Sequence, residues 1–163
     1  MRWLISILFK VAPKMTYDLI RKQLSSSVPF ARHAGVEIDS IGKGRATAHL
    51  PFRPEGLNHI GTQHAAALFA LGEAASGAAM AGAFAPILLE IRPVAADAAI
   101  KYLAIAKGPV RAEAVVKGDA DALLAAVKAD GKSVFQVGVD MTGEDGTKVV
   151  EMTVDWHVSM KRA

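Results

Sequence analysis

Apolar residues at helical spacing open the chain in two segments separated by Pro13: Trp3, Leu4, Ile7, Leu8 and Val11, then Met15, Leu19, Ile20 and Leu24. Arg2, Lys10, Lys14, Arg21 and Lys22 are interleaved with them. The pattern predicts a helical pair, residues 1–27, capping a domain that occupies residues 28–163. A basic amphipathic helix also has the character to contact a membrane surface. The stretch SSSVPF ends this pattern before Gly35, and the period then becomes two. Ala46, Leu50 and Phe52, with Ala48 between them, share one strand face, while Arg45, Thr47 and His49 point the other way. Gly42-Lys43-Gly44 reads as the turn before that strand. Further on, Ala98 to Ile105 and Val110 to Val116 read as strands joined at KGP. Two strictly alternating runs follow, Phe135 to Met141 and Val150 to Met160, with the turn dipeptide Asp145-Gly146 between them. A short helix from about Ala120 to Asp130, closed by Gly131, separates these pairs. Strands in consecutive hairpins imply an antiparallel sheet, which must bury one face.

What that face covers is the segment NHIGTQHAAALFALGEAASGAAMAGAF. Between His64 and Glu90 its only charged residue is Glu73. A helix that is apolar all round belongs inside a core, and small residues let a sheet approach it closely. Gly72 and Gly77 each cost about 1 kcal/mol of helix propensity relative to Ala, so close packing is expected at both. A lone carboxylate in such a helix needs a reason, because an unpaired buried charge either shifts its pKa or finds a partner. Glu73 is therefore the leading candidate for a general base or nucleophile.

Composition narrows the field further. In 163 residues there is no cysteine, which excludes disulfide scaffolds, thiolate metal sites and cysteine nucleophiles. Hydrophobic residues make up 52% and charged residues 21%, the balance of a folded domain rather than a disordered chain. The net charge of +3 is local: through Arg45 there are eight of the 19 Lys/Arg against three of the 16 Asp/Glu. Nucleic-acid binding is not expected. Arg2 and WLISILF superficially resemble a secretion signal, but no A-x-A-like site follows, so a cytoplasmic location is expected.

Thr62, after Gly61, is the expected N-cap of the central helix. The N–H groups that follow, near His64 and Ala65, would form a positive helix terminus able to hold an oxyanion or a polarised carbonyl. Ala65 and Glu73 are eight residues apart, about 12 Å along a helix. One carbonyl cannot touch both within one chain. If both serve one reaction, they come from two copies lying antiparallel across a two-fold axis, and the site is shared in a homodimer or a dimer of dimers.

The pattern Asn58, Gly61, Thr62, His64 and, nine residues on, Glu73 resembles the hotdog-fold acyl-CoA thioesterases of the phenylacetate-degradation and 4-hydroxybenzoyl-CoA types. IKYLAIAKG, from Ile100 to Gly108, is similar to the strand after their central helix, and TVDWHV to their last strand. The resemblance covers about residues 34 to 160, while the N-terminal helices look more like an uncharacterised domain family in the same superfamily. It implies an α+β hotdog fold, an antiparallel sheet wrapped around a long central helix. It also implies that Glu73 activates water or attacks the thioester carbon and that Asn58 holds water or substrate. The Ala65 N–H would then polarise the substrate carbonyl with His64 beside it, and Gly61, Thr62 and Ser76 would also contact substrate. The chain departs from the family where it reads His64-Ala65-Ala66 in place of H-G-G, each methyl narrowing the approach. It departs again at Gly77, beside Ser76, where many relatives carry a Ser or Thr that positions water.

The expected substrate is a fatty or aromatic acyl-CoA thioester, with Lys107, Arg53 or Lys101 as candidates for the phosphates of coenzyme A. A thiolate leaving group, with a pKa of about 8.5, needs little acid assistance, so neither a metal nor a separate cofactor is called for. A non-catalytic acyl-CoA or lipid binder is the alternative, since a fold does not confer activity. A hydratase is disfavoured by the absence of a His/Asp pattern at a helix start. His59 and His64 are five apart, not the four of a helical metal pair, and no phosphate loop or G-x-S-x-G elbow is present.

Overall fold

The computed structural model describes residues 12–161. The predicted helix over residues 1–11 lies outside them. In chain order the regular elements are helices α1 (Pro13–Ser27) and α2 (Pro29–Ala34), then strands β1 (Glu37–Gly42) and β2 (Arg45–Leu50). The central helix α3 (Ala65–Ala83) is followed by a 3-10 segment, Ala85–Glu90, and by β3 (Ile91–Tyr102). Then come β4 (Val110–Val116), α4 (Ala120–Asp130), β5 (Lys132–Gly143) and β6 (Lys148–Met160).

The strands form one antiparallel sheet in the order β1-β2-β4-β5-β6-β3, and α3 packs against β1, β2, β4, β5 and β6. Alternation decides which side chains meet the helix. In β4 the buried residues are Val110, Ala112, Ala114 and Val116, and in β6 Met152, Val154, Trp156 and Val158 continue the same face. The helix returns a surface of alanine and glycine. A Cβ on Gly72 would lie 2.3 Å from Met152 Sδ, and one on Gly82 only 2.0 Å from the Gly42 carbonyl oxygen. These positions are glycine because the sheet occupies the space a side chain would need. By length and composition α3 is apolar enough to cross a membrane, yet 67% of it is buried within the fold, as in the core helix of a wrapped sheet.

Several sequence expectations are corrected. The stretch SSSVPF, read as a break, instead carries α1 to Ser27 and opens the short helix α2, started by Pro29 at its first turn and ended by Gly35 at φ +84°. Phe52 lies beyond the end of β2 and is 43% exposed. β3 begins at Ile91 rather than Ala98 and ends at Tyr102 rather than Ile105. It does not form a hairpin with β4. It crosses to the far edge to pair with β6, and the following loop is tied there by the Leu103 N–H donating to the Val149 carbonyl at 2.8 Å. Pro93, which cannot donate to a ladder, is compatible with this edge position. The β1–β2 turn at Lys43-Gly44, the Asp145-Gly146 turn between β5 and β6, and α4 with Gly131 at φ +75° match the sequence reading.

Candidate functional site

The loop entering α3 is built around one side chain. Asn58 Oδ1 accepts from the N–H groups of Ile60 and Thr62, both at 3.1 Å, and its Nδ2 donates to Thr62 Oγ1 at 2.8 Å. Its backbone N–H donates to the Thr62 carbonyl, and Gly61 turns at φ +74°, a conformation that favours glycine. Asn58, Gly61 and Thr62 are thereby locked into a compact turn, and the polar atoms of Asn58 are engaged in shaping it.

Thr62 is not the N-cap. It is buried, and the cap is His64, whose Nδ1 accepts from the Ala66 N–H at 3.0 Å. That bond requires an unprotonated Nδ1 and leaves Nε2 as the donor. The His64 N–H donates to the Gly56 carbonyl. The Ala65 N–H, in the first turn, has no acceptor among the described residues. Tyr102, from the edge strand, donates its hydroxyl to the Ala65 carbonyl at 3.0 Å and so holds this turn against β3.

Sequence reasoning passed over two residues, Gln63 behind the loop and Trp156 beside the middle of α3. Gln63 is 3% exposed, and its Nε2 donates to the carbonyls of Pro51 and Gly108 at 3.2 and 3.1 Å, while its N–H donates to the Ala106 carbonyl. It ties the helix entrance to the loop after β3. Trp156, on the inner face of β6, donates its indole N–H to Ser76 Oγ at 3.1 Å. The strict alternation of β6 already places Trp156 inward, and a buried indole N–H needs an acceptor; together they were a legible signal.

Glu73 sits on α3, half-buried, and burial pushes its carboxyl above the usual carboxylate value. It takes part in no ion pair among the described residues. Its side chain lines a cavity of about 220 Å³ bounded by Leu24 and Val28 of the N-terminal helices, Met80, Gly77 and Trp156. Ser76 is fully buried behind this wall. Its hydroxyl donates to the Glu73 carbonyl at 2.7 Å and accepts from Trp156, so it supports the helix and the indole rather than facing the cavity.

The helix start opens instead onto a separate groove lined by His64, Ala66, Arg53, His33 and Phe30. Lys107 lies in a third depression with Asp145 and Thr147. One chain therefore brings Asn58, Gly61, Thr62, His64 and Ala65 together, and places Glu73 apart from them, farther along α3.

A six-stranded antiparallel sheet wrapped around one long apolar helix defines the hotdog architecture. Residues 17–158 match the family described as a domain of unknown function, DUF4442, and the chain belongs to that family. Solved structures share the fold. A Pseudomonas aeruginosa protein of unknown function, described as a probable thioesterase, is 24% identical, covers 88% of this chain and 95% of its own, and gives a TM-score of 0.76. The Escherichia coli PaaI protein of the phenylacetic acid degradation operon is 17% identical over 88% of this chain and 94% of its own, with a TM-score of 0.70. A hypothetical thioesterase from Streptococcus pneumoniae, crystallised with coenzyme A, is 20% identical over 87% of this chain and 98% of its own, with a TM-score of 0.66. No curated protein matches the chain significantly in sequence.

Proposed function

We propose that this protein hydrolyses acyl-CoA thioesters as a homodimer, with Glu73 as the general base. The observation that carries the reading is the half-buried Glu73 carboxylate in the wall of a mostly apolar cavity, in no ion pair among the described residues. Its raised pKa makes it a stronger base than a solvated carboxylate. The same helix begins with an Ala65 N–H free of any protein acceptor among the described residues, about 12 Å from Glu73.

The two groups act together if two copies pair through β3. That strand is the open edge of the sheet, and Val94, Ala95, Ala99 and Tyr102 on it are exposed. The unpaired backbone groups of this edge can pair with a second chain, alongside the exposed Arg92, Asp97 and Lys101. Antiparallel pairing sets Glu73 of one protomer opposite Ala65 of the partner subunit.

In the resulting step Glu73 takes a proton from water as the water oxygen bonds to the thioester carbon. The N–H of Ala65 of the partner subunit donates to the developing oxyanion. The carbon–sulfur bond then breaks, the carboxylic acid product forms, and the proton held by Glu73 passes to the departing coenzyme A thiolate. Asn58 shapes the turn that presents the N–H, and His64 caps it. The structural neighbour crystallised with coenzyme A supports coenzyme A as the carrier.

Thiol release from a panel of acyl-CoAs tests the reading. Hydrolysis by the wild type that falls about 10²–10⁴-fold in Glu73→Gln is expected for loss of a general base. Retained binding of acyl-CoA with no turnover would instead make the protein a binder, a reading favoured by the exposed Ala65 and Ala66 methyls at the helix start.

A further inference from the structure

The N-terminal helices wall the Glu73 side of α3 into a pocket that stays partly open to solvent. Leu24 of α1 and Val28, at the junction of α1 and α2, face Gly77 and Met80 across it, and Trp156 lies in its wall. Ser25 and Arg32 also line it, each engaged with a backbone carbonyl. The Ser25 hydroxyl donates to the Arg21 carbonyl at 2.9 Å, and Arg32, exposed, is directed to the Ser26 carbonyl at 3.5 Å. The unpaired polar group in the wall is Glu73 itself, and the rest of the lining is mostly apolar.

Size and composition agree on an occupant. A cavity of about 150 Å³ lodges benzene, so the space here suits about eight or nine carbon atoms. Gly77 sets its depth. A Cβ at that position would lie 3.4 Å from the Trp156 ring, in ordinary contact, and would fill part of the cavity without displacing backbone.

We propose that this cavity receives the acyl tail of the thioester, selecting apolar tails of about eight carbons, with Gly77 and Trp156 as the gauge of tail length. The proposal rests on the thioesterase reading for its substrate class. The N-terminal helices thereby become part of the substrate site. Addition of a methyl at Gly77 shortens the chain that fits, whereas its effect on the helix itself is favourable.

The test combines binding with turnover. Trp3→Phe leaves Trp156 as the sole indole of the two in the chain. S-alkyl-coenzyme A thioethers, which cannot be hydrolysed, are titrated while Trp156 fluorescence is followed. Affinity and the spectral shift should rise with chain length to about octyl and then level off. In Gly77→Ala and Gly77→Val the optimum should move to shorter chains, with about a tenfold loss for octyl and little change for ethyl. Gly77→Ala is the variant that keeps the fold, checked by circular dichroism.

Chain-length-dependent binding at Trp156 without hydrolysis of any acyl-CoA would overturn the thioesterase reading and leave the cavity assignment standing. Hydrolysis with no Trp156 response, and with an unchanged chain-length profile in Gly77→Val, would overturn the cavity assignment alone. A preference for acetyl or for tails of about sixteen carbons would overturn it as well.

Discussion

The indole N–H of Trp156 donates to the hydroxyl of Ser76 at 3.1 Å, joining the middle of β6 to the middle of α3 across the core. The Ser76 hydroxyl in turn donates to the carbonyl of Glu73 one turn back. Sheet, helix and the residue proposed as the base are thus held by one short chain of hydrogen bonds.

Breaking that chain at its centre strands the indole. Ser76→Ala leaves the Trp156 N–H buried without an acceptor, at a cost of about 1–3 kcal/mol. Urea denaturation should show this loss, and Trp156→Phe should cost less in the Ser76→Ala background than in the wild type. Equal costs in both backgrounds would show that the bond contributes nothing.

Glu73 makes stability depend on pH in a defined direction. Burial raises its pKa in the folded state above the ordinary 4.5, so between those two values the folded protein holds more protons than the unfolded one. Stability therefore falls as pH rises through that window. Glu73→Gln removes the decline: the variant should melt at or above the wild-type temperature at neutral pH, and the advantage should vanish below about pH 4.5. A variant less stable than wild type at neutral pH would mean that the carboxylate has a stabilising partner. The same substitution abolishing hydrolysis would then separate function from folding.

Gly72 and Gly82 both lie against the sheet, but what they meet differs. A methyl at Gly72 encounters the flexible ends of Met152 and Met141, which can move aside. A methyl at Gly82 encounters the backbone of Gly42 at 2.0 Å, in the β1–β2 turn. Gly82→Ala should therefore destabilise by about 3 kcal/mol or more and Gly72→Ala by about 1–2 kcal/mol, near the upper and lower parts of the range for overpacking. Chemical denaturation of the two variants side by side checks the order.

The central helix and the alternating strands were legible because burial imposes its period directly on the sequence: the face carrying Val154, Trp156 and Val158 is read from every second residue. Sheet order was not legible. Nothing local in β3 says that it pairs with β6 rather than β4: that choice appears only in the long-range ladder from the Ile91–Met160 pair to the Tyr102–Val150 pair, which the Leu103–Val149 bond continues. The helix cap was misplaced for a related reason. Thr62 has the side chain of a cap, but the turn built by Asn58 draws its hydroxyl inward, and His64 takes the position. Glu73 stood out in the sequence as the one charge in an apolar run, whereas the cavity beside it depends on Leu24 and Val28 arriving from a distant segment.

Homodimerisation through β3 makes the last prediction. The strand is an open edge, and Val94 on it is 47% exposed, so Val94→Lys adds a charge where a second strand would pair without touching the core of one protomer. Sedimentation should give a dimer for the wild type and a monomer for the variant. A monomer retains Glu73 but lacks the N–H that the partner subunit would supply, and loss of one such donor costs about 10²–10³-fold in turnover. Hydrolysis should fall by that amount in proportion to the dissociated fraction, while the far-ultraviolet dichroism stays unchanged. Full activity in a monomeric Val94→Lys would show that one chain carries the whole site, and the antiparallel pairing of the two central helices would have to be abandoned.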